Sequence, residues 1–142
     1  MRRLPNPSRA AFLLCAPLLA AGLAACGNTV STSAYKGEQH AVAQTISDLQ
    51  SDATSGDERK ICANDLSKDV VERLGGAKGC EKAIHDQIAE IDSLEVKVES
   101  IQIAPGGTAA TARLKSVYAG KRRPAIVTLA KEGGRWKVSG VQ

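Results

Sequence analysis

The spacing of apolar residues changes once along this chain, near Ser93, and that change decides which folds are open to it. Before it the spacing is helical. Val42, Ile46, Leu49 and Ala53 recur at steps of four, three and four within residues 38–55, on one face of a helix. Gly56 follows as a C-terminal stop. Asp57 and Ser67 have the side chains that cap helix N-termini. Ile61 and Cys62 fall on the first short helix so started, and Val70, Val71 and Leu74 on the second, which Gly75-Gly76 ends. Gly79-Cys80 opens another helix, with Cys80, Ala83, Ile84, Ile88 and Ile91 facing inward.

After Ser93 the residues alternate. In "LEVKVESIQI" the phase slips near Ser100: Val96 and Val98 point one way, while Ile101 and Ile103 share the parity of Lys97 and Glu99. Either a bulge sits there or both faces are partly covered. Pro105-Gly106-Gly107 makes a turn, and the second strand carries Ala110, Ala112, Leu114 and Tyr118 on one face. Residues 120–123 turn the chain again, and "PAIVTLAK" is the third strand. Glu132-Gly133-Gly134 signals a hairpin, and "RWKVSGV" is the last strand, with Trp136 and Val138 inward. Helices first and a four-stranded antiparallel meander after them predict an α+β domain, its N-terminal helices packed on a bent sheet. The alanines of the second strand leave room for a helix to approach.

The N-terminal residues follow a different logic. Arg2, Arg3 and Arg9 precede an apolar run from Ala10 to Leu23. That run is shorter than the roughly 20 residues a membrane-spanning helix needs. A basic start, a short apolar middle and small residues at the end make a secretory signal peptide. Arg2-Arg3 lacks the apolar residues that would follow in a twin-arginine signal, so the general secretory route is expected. Leu23-Ala24-Ala25-Cys26 resembles the bacterial lipobox. That resemblance implies a diacylglyceryl group on the Cys26 sulfur and cleavage that leaves Cys26 first. The expected organisation is a lipoprotein signal peptide over 1–25, a lipidated cysteine and flexible tether over 26–37, and one α+β domain over 38–142. Two or more acyl chains hold a protein stably where one does not. The expected location is the extracytoplasmic face of the cell membrane.

Charge and cysteine usage fit that division. The chain carries 19 Lys and Arg against 15 Asp and Glu. Its three leader arginines account for most of the excess, so the basic pI is no argument for nucleic-acid binding. The remaining charge is uneven: residues 105–142 hold eight basic residues against the single acid Glu132. Cys15 leaves with the leader and Cys26 takes the lipid. Cys62 and Cys80 remain where disulfides persist, 18 positions apart, and are expected to pair. Two buried thiols are the bland alternative. A metal site would need His40 or His85 to join them, and no short ligand spacing is present.

Three helical segments, then long bent strands ending in Gly134-Arg135-Trp136-Lys137-Val138, resemble the NTF2-like (cystatin-like α+β) superfamily. The likeness is closer to small actinobacterial lipoproteins of that superfamily, which share paired cysteines either side of an "LSKDVVERLGG"-type segment. It implies a cone-shaped domain over about 38–142. Enzymes of the superfamily place Asp, His or Tyr inside the cone. Here the second to fourth strands carry only Glu132 as an acid, and it sits in a turn. Glu95 and Glu99 alternate with valines toward solvent. His85 lies off the apolar stripe, four residues after Glu81, at a surface ion-pair spacing. No catalytic residue, metal or cofactor is therefore expected.

Two surfaces remain as candidates for binding. Arg113, Lys115, Lys121, Arg122, Arg123, Arg135 and Lys137, with Lys131 near them, form a basic patch if the sheet brings them to one face. Such a patch would attract anionic headgroups, a wall polymer or an acidic envelope protein. Ile88, Val96, Ala112, Leu114, Tyr118 and Trp136 would line a cavity if the cone is open. The expected function is a membrane-anchored, non-catalytic binding module of the cell envelope. A carrier of a small apolar or amphipathic ligand is the alternative, and a small enzyme the third reading.

Overall fold

The computed structural model describes residues 30–89, 94–118 and 120–142, and of Tyr118 the backbone alone. The signal peptide, Cys26, Ile91 and the Tyr118 side chain lie outside the described residues. Helix α1 spans Gly37–Ser55 and buries Val42, Ala43 and Ile46. Gly56 ends it in the left-handed conformation at φ 69°, its N–H bonding back to Ala53. The Asp57 carboxylate accepts a hydrogen bond from the Lys60 N–H and starts α2, Glu58–Lys60. This turn runs straight into one π-helical turn, Ile61–Asp65. The Ser67 hydroxyl caps α3, Lys68–Arg73. Helix α4 is Gly76–Ile88. It begins three residues earlier than expected, because Gly75 and Gly76, both at positive φ, complete the reversal between the two helices on their own.

The strands β1 Leu94–Ile103, β2 Ala109–Tyr118, β3 Lys121–Glu132 and β4 Arg135–Val141 form one antiparallel meander in the order β1-β2-β3-β4. A bulge between Val98 and Ser100 explains the phase slip in β1. It returns Ile101 and Ile103 to the face of Val96 and Val98, opposite Ala112 and Ala110. At a second irregularity, Thr128 pairs with Gly140 and Leu129 with Val138, which leaves Ser139 as an extra residue in β4. The core fills the space between this curved sheet and α1. Ile101, Ala110, Ala112, Leu114, Val127, Leu129, Trp136 and Val138 meet Val42, Ala43, Ile46, Ile61 and Leu66 there.

Two expectations change. The turn expected over residues 120–123 does not extend past Gly120: Lys121 already pairs with Tyr118, so Lys121, Arg122 and Arg123 belong to β3. Pro124 is tolerated there because β4 pairs with β3 only from Val127 onward, next to the Ile126–Gln142 backbone bonds. The stretch from Val30 on is not a free tether either. Val30 is 4% exposed, and the Tyr35 hydroxyl donates to the Val98 carbonyl at 3.3 Å. The expected bond between Cys62 and Cys80 is present, with their Cα atoms 6.1 Å apart, and ties the π turn to α4.

Strand β1 is an edge of the sheet, and side chains cover it instead of another strand. Gln50 donates to the Leu94 carbonyl at 2.8 Å, Tyr35 to that of Val98, and Gln39 to that of Ile101 at 2.9 Å. Such cover blunts the tendency of an open edge to pair with other chains.

Candidate functional site

The sheet distributes the predicted basic residues over different surfaces. Arg113 faces Ile126, Lys115 faces Pro124 and Arg122 faces Val117 across the strand pairs, so these three share the outer face with Lys97, which pairs with Lys115. Lys121 and Arg123 pair with Tyr118 and Ser116 and so have the opposite parity. Arg135 sits at the far hairpin, opposite Glu132. Lys137 leaves the patch altogether. It is 8% exposed, and its Nζ donates to the carbonyls of Ala63 and Asn64. Lys131 turns to α1, where Glu38 Oε1 lies 2.8 Å from its Nζ and Glu38 Oε2 accepts from Trp136 Nε1 at 2.7 Å. These bonds hold the Glu38 carboxylate below the usual range, the Lys131 bond most.

The predicted cavity residues do not gather around one space. Ala112 and Leu114 are packed in the core, at 0% and 6% exposure. Ile88 is half-buried on α4. Val96 and Trp136 border two separate clefts. The two histidines are at the surface. His85 pairs with Glu58 on α2 at 2.7 Å and not with Glu81, because α4 packs on α2 and brings a better partner across than along its own helix. That bond lowers the Glu58 carboxylate. The ring of His40 lies 3.1 Å from the Thr32 carbonyl.

Two of the clefts among the described residues are bordered by predicted cavity residues. The larger, about 670 Å³, runs between residues 31–35 and the β1 edge. Tyr35, Val96, Val98 and Val117 give it an apolar floor. Lys97, Lys115 and Arg122 stand on its rim with Glu95, and Lys115 is also paired with Glu99 at 2.6 Å. The smaller, about 380 Å³, is bordered by Gln44, Thr45, Asp48, Asn64, Asp65 and Trp136.

Asp65 in the second cleft has no counterpart in the sequence reading. It closes the π turn and is only 4% exposed. Burial pushes its carboxyl up to about 7; the charges of Asp52 and Asp48 add to the rise, and Lys137 opposes it. A side-chain hydrogen bond joins it to Asp52, while its Oδ2 has no partner. No apolar periodicity marks such a residue, because a π turn breaks the 3.6-residue repeat on which helix faces are recognised.

No family model matches the sequence, and no curated protein does. Solved structures do. A five-substitution form of Rd1NTF2_05 superposes with a TM-score of 0.52 over 75% of this chain and 98% of its own, at 16% identity. The chain has the NTF2-like fold. A SEC-C motif containing protein from Rhodopseudomonas palustris superposes at 0.55 over 69% of this chain and 74% of its own, also at 16% identity. An NTF2-like protein of unknown function from Shewanella baltica gives 0.48 over 73% and 90%, at 20% identity. At such identities the first two superpositions speak for the fold alone. In this NTF2-like domain much of the inner face of the sheet packs against α1, and the larger cleft straddles the β1 edge, with Val96 and Val98 from the inner face and Lys97, Lys115, Val117 and Arg122 from the outer.

Proposed function

We propose that this NTF2-like chain is a lipoprotein of the cell envelope, held on the extracytoplasmic face of the membrane by a lipid on Cys26, and that its folded domain binds and does not catalyse. The observation that carries this reading is the bond between Cys62 and Cys80, in a chain whose Leu23-Ala24-Ala25-Cys26 follows a basic and then apolar leader. Disulfides form and persist where secreted and periplasmic proteins reside. With Ala112 and Leu114 packed in the core, the clefts at its margins are the contact surfaces, which supports a binding role. Mass spectrometry of protein from its own envelope tests the reading. It expects Cys26 as first residue, acylated, with the disulfide intact. A polypeptide beginning at Met1, unacylated and with free Cys62 and Cys80, overturns it.

One observation favours a second reading. A carboxyl with its pKa about 7 beside a cleft has the protonation behaviour of an acid–base or ligand-holding group. A small molecule retained by the native protein in native mass spectrometry, and lost from Asp65→Asn, would support that role. A ligand-free mass counts against it.

A further inference from the structure

We infer that the groove between residues 31–35 and the β1 edge docks onto the anionic phospholipid surface of the bilayer, which makes the outer face of β1 and β2 the membrane-facing side of the domain. The inference rests on the proposed Cys26 anchor and goes beyond it, because an anchor alone sets no orientation.

Its first support is distance. Val30 already belongs to the folded domain, at 4% exposure. Covalent geometry lets the four steps from Cys26 to Val30 span at most about 14 Å. A lipid on Cys26 therefore holds the domain close to the headgroups, with the Val30 end toward them. Ser31, Ala34 and Tyr35, just after that point, form one wall of the groove. The other wall is the β1 edge and the outer face behind it.

Its second support is chemistry. Lys97, Lys115, Arg122 and Val117 line the groove from the outer face and Val96 and Val98 from the inner side of the β1 edge, with Glu95 the one acid among its lining residues. A half-buried apolar floor with a cationic rim matches an anionic headgroup and the first carbons of its acyl chain. Lys115 engages Glu99, so Lys97 and Arg122 carry most of the attraction and Lys115 contributes through its stem. Each cation close to an anionic bilayer strengthens association by roughly fivefold.

The test uses the full lipidated chain reconstituted into vesicles of phosphatidylcholine, with or without phosphatidylglycerol. Exposed lysines are labelled with an amine-reactive reagent and mapped by mass spectrometry. Labelling of Lys97 is expected to fall about fivefold in the anionic vesicles and to recover at high salt. Lys78 and Lys82 on α4, which border neither groove wall, should label alike in both. The Lys97→Gln/Arg122→Gln variant, its fold checked by circular dichroism, should lose protection at Lys115. An unacylated Cys26 in the same spectra removes the anchor reading. An acylated Cys26 with Lys97 labelled equally in both vesicles overturns the docking alone. Protection that appears only when wall polymer is added assigns the groove to that polymer and likewise overturns the lipid.

Discussion

Gly79 in α4 lies directly against the carbonyl of Leu74 at the end of α3: a Cβ at Gly79 would stand 2.1 Å from that oxygen. In an ordinary helix interior, replacing glycine with alanine stabilises by about 1 kcal/mol. Here the sign should reverse. The obstacle is backbone, not the movable end of a side chain, so α3 and α4 must separate to admit a methyl group. Gly79→Ala is expected to cost about 1–3 kcal/mol. Urea unfolding measures it, and a variant with a higher midpoint than the native protein would show that the two helices are not packed this closely.

That close approach sets up the neighbouring residue. Cys80, at 0% exposure, is held against the π turn where Cys62 waits. Closing a loop with a separation of 18 residues stabilises a chain by about 3 kcal/mol in the chain-entropy model. The double variant Cys62→Ala/Cys80→Ala should therefore lose about 2–4 kcal/mol. The discriminating measurement is the effect of reductant. It should lower the unfolding midpoint of the native protein and leave that of the double variant unmoved.

Much of this architecture was legible in the residues, for physical reasons that differ by element. Gly56, Asp57 and Ser67 announce helix ends because their side chains, or lack of one, suit only those backbone positions. The slip at Ser100 was visible as a break in alternation, yet its meaning depended on which strand lay opposite, and only the pairing of Ile101 with Ala112 decides it. Lys121, Arg122 and Arg123 looked like a turn because charge and a following proline are the usual marks of one. They form strand because β2 extends to Tyr118 and pairs with them. The candidate site was the least legible part. Lys137 alternates like a solvent-facing residue and is buried, since the segment through Leu66 runs alongside β4 and covers it. Tyr35 read as tether because nothing local shows that it reaches Val98.

Lys137 offers a test of that cover. Its Nζ satisfies the carbonyls of Ala63 and Asn64, and its stem fills space beside β4. Lys137→Met keeps the stem and removes the donor. A hydrogen bond to a charged group contributes about 1.5–3 kcal/mol, so the variant should unfold at correspondingly lower denaturant. The same change removes the one cation that counters the rise at Asp65. Asp65 should then titrate still higher, by carboxyl chemical shift. No change in that titration would mean that the Lys137 charge does not reach Asp65.

Asp65 itself makes stability depend on pH in a direction opposite to most acids. Its carboxyl titrates near 3.8 when unperturbed and at about 7 in the folded domain. Between those values the folded state holds a proton that the unfolded chain has released. Stability from this group is thus complete below the lower value and is lost as pH rises through the higher one. The surrounding charges, Asp52 and Asp48 against Lys137, leave that sign unchanged. Glu38, Asp57, Glu58 and Asp86, all lowered, act in the opposite sense but below their ordinary values of 4.5 and 3.8. A window from about pH 5 to about pH 8 lies above all four, and the difference between native protein and variant across it reports Asp65. Asp65→Asn keeps the shape and cannot ionise. At about pH 8 it should be more stable than the native protein by about 2–4 kcal/mol, with the gap closing as pH falls. Thermal unfolding across the window measures the gap. Native and variant curves that stay parallel would mean that the carboxyl ionises at its ordinary pH, and that water reaches a group which the fold places out of its reach.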